Sequence, residues 1–280
     1  MAEASIERVL RHDRLIVLGA IAAISLLAWI QIVWLAAHMH GAGDGGQPGI
    51  MTMPGMEMEG MAMPPEAVQG WGPAQFAVMF AMWVAMMTGM MLPSAAPMVL
   101  IYAAVAREAV KNGKPFAAAG WFGGGYILAW TGFSLVATAA QWALERALLL
   151  TQAMSLAGSA LGGAVLIAAG LYQWTPLKAR CLSHCQAPLS FIQRHGGFRR
   201  DASGALRLGL QHGLYCIGCC WALMALLFVM GIMNLAWIAA LAVFILLEKI
   251  VPARWRVAWA AGVLLVAAGG WMILRAVPFA

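Results

Sequence analysis

The chain has 280 residues, of which 63% are hydrophobic and only 10% are charged, whereas roughly 25% of residues in soluble domains are charged. This composition excludes an ordinary water-facing surface and favours a protein whose surface mostly contacts lipid. The net charge of +6 does not indicate nucleic-acid binding, because the basic residues lie at the ends of apolar segments, where membrane orientation accounts for them.

Seven apolar segments approach the length of about 20 residues that a membrane-spanning helix needs. In chain order they are Leu15–Ala37, Gln75–Ala103, Phe116–Leu144, Met154–Trp174, Leu208–Met230, Met233–Leu247 and Trp255–Leu274. We therefore expect an all-α fold, a polytopic transmembrane bundle of about seven helices. The first segment is longer than a signal-peptide core and is interpreted as an uncleaved anchor, while the second is expected to break at Pro93 and Pro97.

The positions of lysine and arginine predict the orientation of these spans. With a cytoplasmic N-terminus, 15 of the 17 basic residues are cytoplasmic and only Arg146 and Arg275 lie outside. In the absence of an organelle signal, a bacterial inner membrane is the expected location. The predicted parts are an anchor helix at 1–37, an extracytoplasmic loop at 38–74, and a six-helix bundle at 75–280 with a cytoplasmic Cys/His loop at 175–207.

The outer loop contains no lysine or arginine but is rich in methionine and histidine. These residues are His38, Met39, His40, Met51, Met53, Met56, Met58, Met61 and Met63. Thioethers and imidazoles suit Cu(I), so the loop is a candidate for capturing copper or silver, with His38 and His40 among the ligands. The alternative is a loop that folds onto the membrane surface with methionine as adaptable filler.

The second span carries methionines at helical spacing. Met79, Met82, Met86 and Met90 form one column and Met87 and Met91 an adjacent one, because residues three or four apart share a helix face. Such a stripe offers weak, repeated ligands to a soft monovalent ion without burying a charge. The alternative is that these methionines are ordinary apolar filler.

Glycines at a spacing of four predict close helix packing in the third and fourth spans. The pairs are Gly120 with Gly124 and Gly158 with Gly162. Glycine is also simply common in membrane helices, which is the alternative interpretation.

The strongest local pattern is His212, Cys216, Cys219 and Cys220 on the fifth span. Successive turns place these side chains on nearly one face, and a rise of about 1.5 Å per residue places the last two roughly 17 Å deep, near the middle of a bilayer. Polar or ionisable groups at that depth are candidates for function.

A second group, Cys181, His184 and Cys185, lies in the predicted cytoplasmic loop. Cytoplasmic thiols remain reduced, and reduced thiols with imidazole favour Cu(I) or Zn(II). The neighbouring methionine helix favours copper, with zinc as the other candidate. Two alternatives stay open: a membrane thiol–disulfide oxidoreductase using Cys216 and Cys219, and a structural subunit whose cysteines are small apolar side chains.

These motifs resemble a bacterial domain-of-unknown-function family described as predicted metal-binding integral membrane proteins. The resemblance rests on Met86-Met87-x-x-Met90-Met91-Leu92-Pro93-Ser94, His212-Gly-x-Tyr215-Cys216-x-Gly218-Cys219-Cys220-Trp221-Ala222-Leu223-Met224, Gly231-x-Met233-Asn234 and Glu248-Lys249. It covers about residues 75–250 and implies metal binding, without fixing a metal or a reaction.

The sequence contains no P-loop and no dinucleotide-binding fingerprint, so we expect no nucleotide partner and no ATP-driven motor. Glu248 and Lys249 are interpreted as a boundary pair, and Asn234 as a residue that caps a helix or bridges at its outer end. The leading hypothesis is a protein without catalytic residues that transports Cu(I) or delivers it to a copper enzyme or metallochaperone. In that case Met82, Met86, Met87, Met90 and Met91 pass the ion to the cysteines.

Overall fold

The computed structural model describes residues 2–44, 71–113, 117, 119–151, 154–198, 200–251 and 257–276, except for the side chains of 2–14, 38–44 and 110–111. The described chain is helical and contains no strand beyond the single bridge between Leu150 and Leu156, which confirms the all-α prediction. The helices are α1 (Ala2–Asp44), α2 (Pro73–Lys111), α3 (Ala119–Arg146), α4 (Ser159–Tyr172), α5 (Pro176–Gln186), α6 (Pro188–Arg194), α7 (Ala202–Ala225), α8 (Leu227–Met230), α9 (Leu235–Ile250) and α10 (Val257–Ala276).

Five of the described helical segments are long and apolar enough to cross a membrane. They are Leu15–Ala37, Pro73–Ala109, Ala119–Arg146, Ala202–Met230 and Val257–Ala276. A sixth is possible if α4 and α5, which meet at a bend of 64°, count as one broken span. The remaining predicted span corresponds to α9, whose 16 residues extend only about 24 Å, less than the roughly 30 Å of a hydrocarbon core.

Helix α2 continues through Pro93 and Pro97, so the predicted break is absent. Its backbone is supported at this point by hydroxyl groups: Ser94 Oγ donates to the Met91 carbonyl at 2.7 Å, and Tyr126 Oη of α3 donates to the same oxygen at 3.0 Å. These two hydrogen bonds add to the helical hydrogen bonding just before Pro93.

The closest contacts between α3 and α7 involve glycines other than the predicted Gly120 and Gly124. A Cβ on Gly125 of α3 would lie 2.0 Å from the Leu206 carbonyl oxygen of α7, and one on Gly209 of α7 would lie 1.9 Å from the Phe122 carbonyl oxygen. In contrast, Gly120 and Gly158 have no such neighbour within 4 Å. The backbones of α3 and α7 therefore meet at Gly125, the residue that follows the predicted Gly124.

Between α4 and α10, too, the most closely packed glycines are not the predicted ones. A Cβ on Gly163 would lie 2.7 Å from the Gly269 carbonyl oxygen, and one on Gly170 would lie 2.8 Å from the Gly262 carbonyl oxygen. Of the predicted pair in the fourth span, only Gly162 is closely packed, against the Met272 methyl at 3.2 Å.

The segment predicted as a loop at 175–207 is largely helical where it is described. Thr175 caps α5 by accepting a hydrogen bond from the Lys178 amide, with Pro176 in the first turn, and Asp201 caps α7 through the Gly204 amide at 2.6 Å. These caps are ordinary helix-start signals. Helix α5 packs along α7 rather than away from the bundle, which positions its cysteines.

Burial separates a sulfur-rich interior from an apolar outer surface. The methionines of α2 are almost completely buried, at 0–3% exposure for Met82, Met86, Met87, Met90 and Met91. Large apolar side chains on the outside are strongly exposed, including Leu27, Val136 and Leu264 at 66%, 65% and 70%. The outer surface of these long helices is therefore suited to contact with lipid rather than with water.

Candidate metal centre

Three cysteines of α7 point into the bundle. Cys216, Cys219 and Cys220 are 0%, 2% and 1% exposed, and all three are free thiols. The Sγ atoms of Cys219 and Cys220 lie 3.0 and 2.9 Å from the Cys216 carbonyl oxygen and donate to it. The spacing of these residues thus gathers three sulfurs around one helical turn inside the protein.

The two cysteines of α5 join this group. Cys181 packs against Gly218 of α7, where its Sγ would lie 2.7 Å from an added Cβ. Cys185 is partly buried and packs against the same core that contains the cysteines of α7. Helix α5 thus brings Cys181 and Cys185 to the buried side of α7. We call these two residues and the three cysteines of α7 the five-thiol cluster, and all five are free thiols.

The five-thiol cluster adjoins the methionines of α2. Cys220 Sγ lies 4.0 Å from Met91 Sδ, and Met87 and Met90 belong to the same buried core. Thiol and thioether sulfurs from two helices are consequently neighbours, and both are ligands that select Cu(I).

Cys216 has a charged neighbour that sequence reasoning did not connect to it. Lys249 Nζ lies 2.9 Å from Cys216 Sγ and donates to Ser94 Oγ at 2.7 Å. Tyr126 Oη is 3.1 Å from the same sulfur. An ammonium group at this distance stabilises a thiolate by charge, so Lys249 and Tyr126 belong to the surroundings of the cluster.

Glu248 and Lys249 do not form the predicted boundary pair. The Glu248 carboxylate instead forms a buried ion pair with Lys178 of α5, whose Nζ is 2.8 and 2.9 Å from the two oxygens. Lys178 also donates to the Gln173 side-chain oxygen. Adjacent positions on α9 point to different partners, because successive helical residues are about 100° apart.

A cavity of about 510 Å³ lies beside this ion pair. Its walls include Gln173, Lys178, Gln186 and Glu248. Gln186 Nε2 donates to the Glu248 and Val251 carbonyls at 2.7 and 3.1 Å, so it satisfies backbone acceptors at the end of α9. One side of α5 thus faces this cavity, and a different side carries Cys181 and Cys185.

The predicted histidine ligands have different surroundings. His212 is 3% exposed, and its Nδ1 has no hydrogen-bond partner in the described part of the chain. Its ring lies 5.7 Å from the Tyr126 ring, centroid to centroid, so Tyr126 contacts both His212 and the sulfur of Cys216. His184 Nδ1 is 2.7 Å from the Arg180 carbonyl, and the ring stacks on Tyr215 at 4.3 Å.

His195, which the sequence analysis did not single out, lies near His184 with ring centroids 5.9 Å apart. No spacing pattern pointed to it, because its approach to His184 depends on the turn between α5 and α6. The side chains of His38 and His40 and the methionines of 51–63 lie outside the described residues.

Among the described residues, no three His, Cys, Asp or Glu side chains form a group that could hold a metal ion. A metal site in this part of the chain would therefore use methionine sulfur, use fewer of these ligands, or close around the ion when it binds. Cu(I) is compatible with the first option because thioethers are among its preferred ligands.

The fold and this centre together define an all-α bundle of membrane-length helices with a buried cluster of thiols and thioethers. The chain belongs to the PpoB2 family, which is described as a copper chaperone, since the sequence model of that family matches residues 80–272. The match includes α2 from Phe80 onwards, both cysteine groups and Lys249. It supports a role that involves copper. No curated protein and no solved structure matches the chain significantly.

Proposed function

We propose that this protein is an integral membrane copper chaperone, located in a bacterial inner membrane, that binds Cu(I) between α2 and α7 and delivers it to a copper enzyme. The observation that carries the proposal is the contact of reduced cysteine with methionine inside the bundle, Cys220 Sγ to Met91 Sδ at 4.0 Å. The family description and the apolar outer surface support it.

In this proposal Cu(I) is the cargo, and the chain supplies exchangeable sulfur ligands. The thioethers of Met82, Met86 and Met90 lie on the buried side of α2 and bind the ion without a charge of their own. The thiols of Cys216, Cys219 and Cys220 bind it more strongly as thiolates, because metal binding requires the deprotonated sulfur. Exchange between neighbouring sulfurs then moves the ion without ATP.

The experiment measures Cu(I) binding by purified protein in detergent, in competition with a coloured Cu(I) chelator. We expect the intact protein to take Cu(I) from the chelator and to show near-ultraviolet thiolate-to-copper absorption. The triple variant Cys216→Ser, Cys219→Ser, Cys220→Ser should lose that absorption and most of the affinity. Replacing Met86, Met87, Met90 and Met91 by leucine should weaken the binding of Cu(I) to the part of α2 that leads to the cysteines.

Met272→Leu is the matched control, because Met272 is a partly buried methionine of α10 whose methyl group packs against Gly162 of α4. Helical circular dichroism and gel filtration verify that each variant is folded. An intact, folded protein that takes up no Cu(I) under reducing conditions would refute the proposed function.

The second candidate function is thiol–disulfide exchange through Cys216 and Cys219. The observation in its favour is the Lys249 ammonium beside Cys216, since neighbouring cations activate thiols. However, reactive cysteines are usually partly exposed, whereas Cys216 is fully buried. Redox exchange needs no methionine, so the leucine variant of α2 should retain it and lose copper binding, which separates the two functions.

A further inference from the structure

A second sulfur-rich site lies at the opposite end of the α2–α3 interface from Lys249, where α2 begins and α3 ends. Its centre is the fully buried amide of Gln141. Gln141 Oε1 accepts from Trp83 Nε1 at 2.7 Å, and Gln141 Nε2 donates to Glu145 Oε1 at 3.0 Å. The same nitrogen is 4.0 Å from Met79 Sδ and 3.8 Å from Met154 Sδ. Two thioethers separated by 75 positions in the chain therefore flank one nitrogen atom.

The backbone of Met154 is held in an unusual conformation that places its side chain there. Its φ of 53° lies in the left-handed region, which non-glycine residues seldom adopt. Two hydrogen bonds maintain it: the Met154 amide donates to the Thr151 carbonyl at 2.9 Å, and the Ile232 amide donates to the Met154 carbonyl at 3.3 Å. Strained residues of this kind are concentrated at ligand-binding and other functional sites.

A carboxylate is fixed next to the two sulfurs. Glu145 Oε2 accepts a hydrogen bond from Trp71 Nε1 at 2.6 Å, while its other oxygen accepts from Gln141. The carboxylate therefore has both oxygens oriented by neighbouring donors. Thioethers are neutral, so a cation bound between them in a partly buried position needs a nearby negative charge, and Glu145 supplies it.

We propose that Met79 and Met154 form a two-sulfur acceptance site for Cu(I), with Glu145 as the compensating charge and Gln141 as the residue that positions all three. The inference rests on the proposed function and deepens it by naming where the ion first binds. Thioether sulfur is only a weak hydrogen-bond acceptor, so a soft cation readily replaces the contacts between the amide and the sulfurs. Hard divalent ions prefer oxygen and are not selected by this pair.

The position of this site fits a path toward the five-thiol cluster. Met82, Met86 and Met90 follow Met79 at helical spacing and are buried. The twelve helical steps from Met79 to Met91 cover roughly 18 Å along the helix, and Met91 contacts Cys220. The acceptance site and the five-thiol cluster thus lie at the two ends of one methionine stripe. With the N-terminus in the cytoplasm, the acceptance site faces the outside.

The test uses the protein in which all five cysteines, Cys181, Cys185, Cys216, Cys219 and Cys220, are serine, so that no thiol obscures weaker binding. Cu(I) is titrated against a chelator, and copper X-ray absorption identifies the ligating atoms. We expect this background to retain Cu(I) with sulfur as a ligand. Adding Met79→Leu or Met154→Leu should abolish that binding, and adding Met272→Leu should leave it unchanged. Glu145→Gln should weaken it about 10–100-fold, as is typical for residues that support metal ligands.

A second measurement needs no substitution in the site. Ag(I) is added to the unaltered protein, methionines are oxidised with peroxide, and sulfoxide at each position is quantified by mass spectrometry. Met79 and Met154 are both partly buried, and we expect Ag(I) to protect them several-fold while leaving Met272 unprotected.

The acceptance site alone would be overturned if the serine background bound Cu(I) equally well with and without Met79 and Met154. It would also be overturned if that background bound no Cu(I) while the intact protein did. Equal oxidation of the three methionines with and without Ag(I) would also overturn it. Failure of the intact protein to bind Cu(I) would instead refute the proposed function itself.

Discussion

Lys178 and Glu248 show how strongly a single pair of residues can link two helices in this protein. Both side chains are nearly inaccessible, at 2% and 3% exposure, and their charged groups are 2.8 Å apart. Removing both charges from water is costly, and their mutual attraction and hydrogen bonds offset that cost. The pair therefore ties α5 to α9 and fixes the side of α5 that carries the cysteines.

Lys178→Met is expected to lower stability by about 3–5 kcal/mol, because it leaves the Glu248 carboxylate buried without a partner. The double variant Lys178→Met, Glu248→Leu should recover most of that loss, since no unpaired charge remains. Thermal unfolding in detergent, followed by circular dichroism, measures both changes. A single variant as stable as the unaltered protein would contradict the assignment of a buried ion pair.

At the level of residues, the sequence predicted relations within a helix in more detail than those between helices. The spacing of Cys216, Cys219 and Cys220 was enough to predict one buried face, and Asn234 caps α9 as expected by accepting from the Trp237 amide at 3.2 Å. The approach of Lys249 to Cys216 depends on how α9 crosses α7. The position of the Met154 side chain depends on a single backbone torsion. The spacing of residues in the sequence predicts neither the approach of Lys249 to Cys216 nor the position of Met154.

At the level of elements, the α3–α7 interface depends on close contact between two backbones. A methyl group at Gly209 would overlap the Phe122 carbonyl oxygen, so the helices must move apart to accommodate it. Gly209→Ala is therefore expected to destabilise the protein by about 1–3 kcal/mol or more. Thermal unfolding and the yield of folded protein provide the measurement.

Gly132→Ala is the matched control on α3, because Gly132 is exposed and a Cβ there has no neighbour within 4 Å. Alanine has the higher helix propensity, so this change should be neutral or stabilising by up to about 1 kcal/mol. Equal thermal stability of Gly209→Ala and Gly132→Ala would contradict the claim that close contact between the α3 and α7 backbones excludes a side chain at position 209.

The glycine pattern shows why packing faces are harder to predict than helices. The predicted Gly124 and the observed contact residue Gly125 are neighbours, but one position rotates the face by about 100°. Apolar composition located helices α3 and α4, because both are rich in apolar residues. Several glycines satisfied the four-residue spacing equally well, and only the partner helix decides which of them becomes buried.

At the level of the whole molecule, the arrangement of basic residues gives a prediction of orientation. The N-terminus and the α6–α7 connection should be cytoplasmic, and the ends of α3 and α10, marked by Arg146 and Arg275, should be outside. Alkaline phosphatase fused after Arg146 or after Ala280 should be active, whereas fusion at Asp201 should give an inactive enzyme. Activity at all three positions, or only at Asp201, would contradict the predicted orientation.

The bend of 64° between α4 and α5 has a consequence for the proposed release of copper from the interior. On one flank the sulfurs are enclosed by α2, α3 and α7, of 39, 28 and 24 residues, whose separation would disrupt most of the bundle. On the other flank an 11-residue helix stands between them and the 510 Å³ cavity. In the proposed function, a receiving protein would reach the sulfurs by displacing that short helix and breaking its buried Lys178–Glu248 ion pair, while the long helices stay in place.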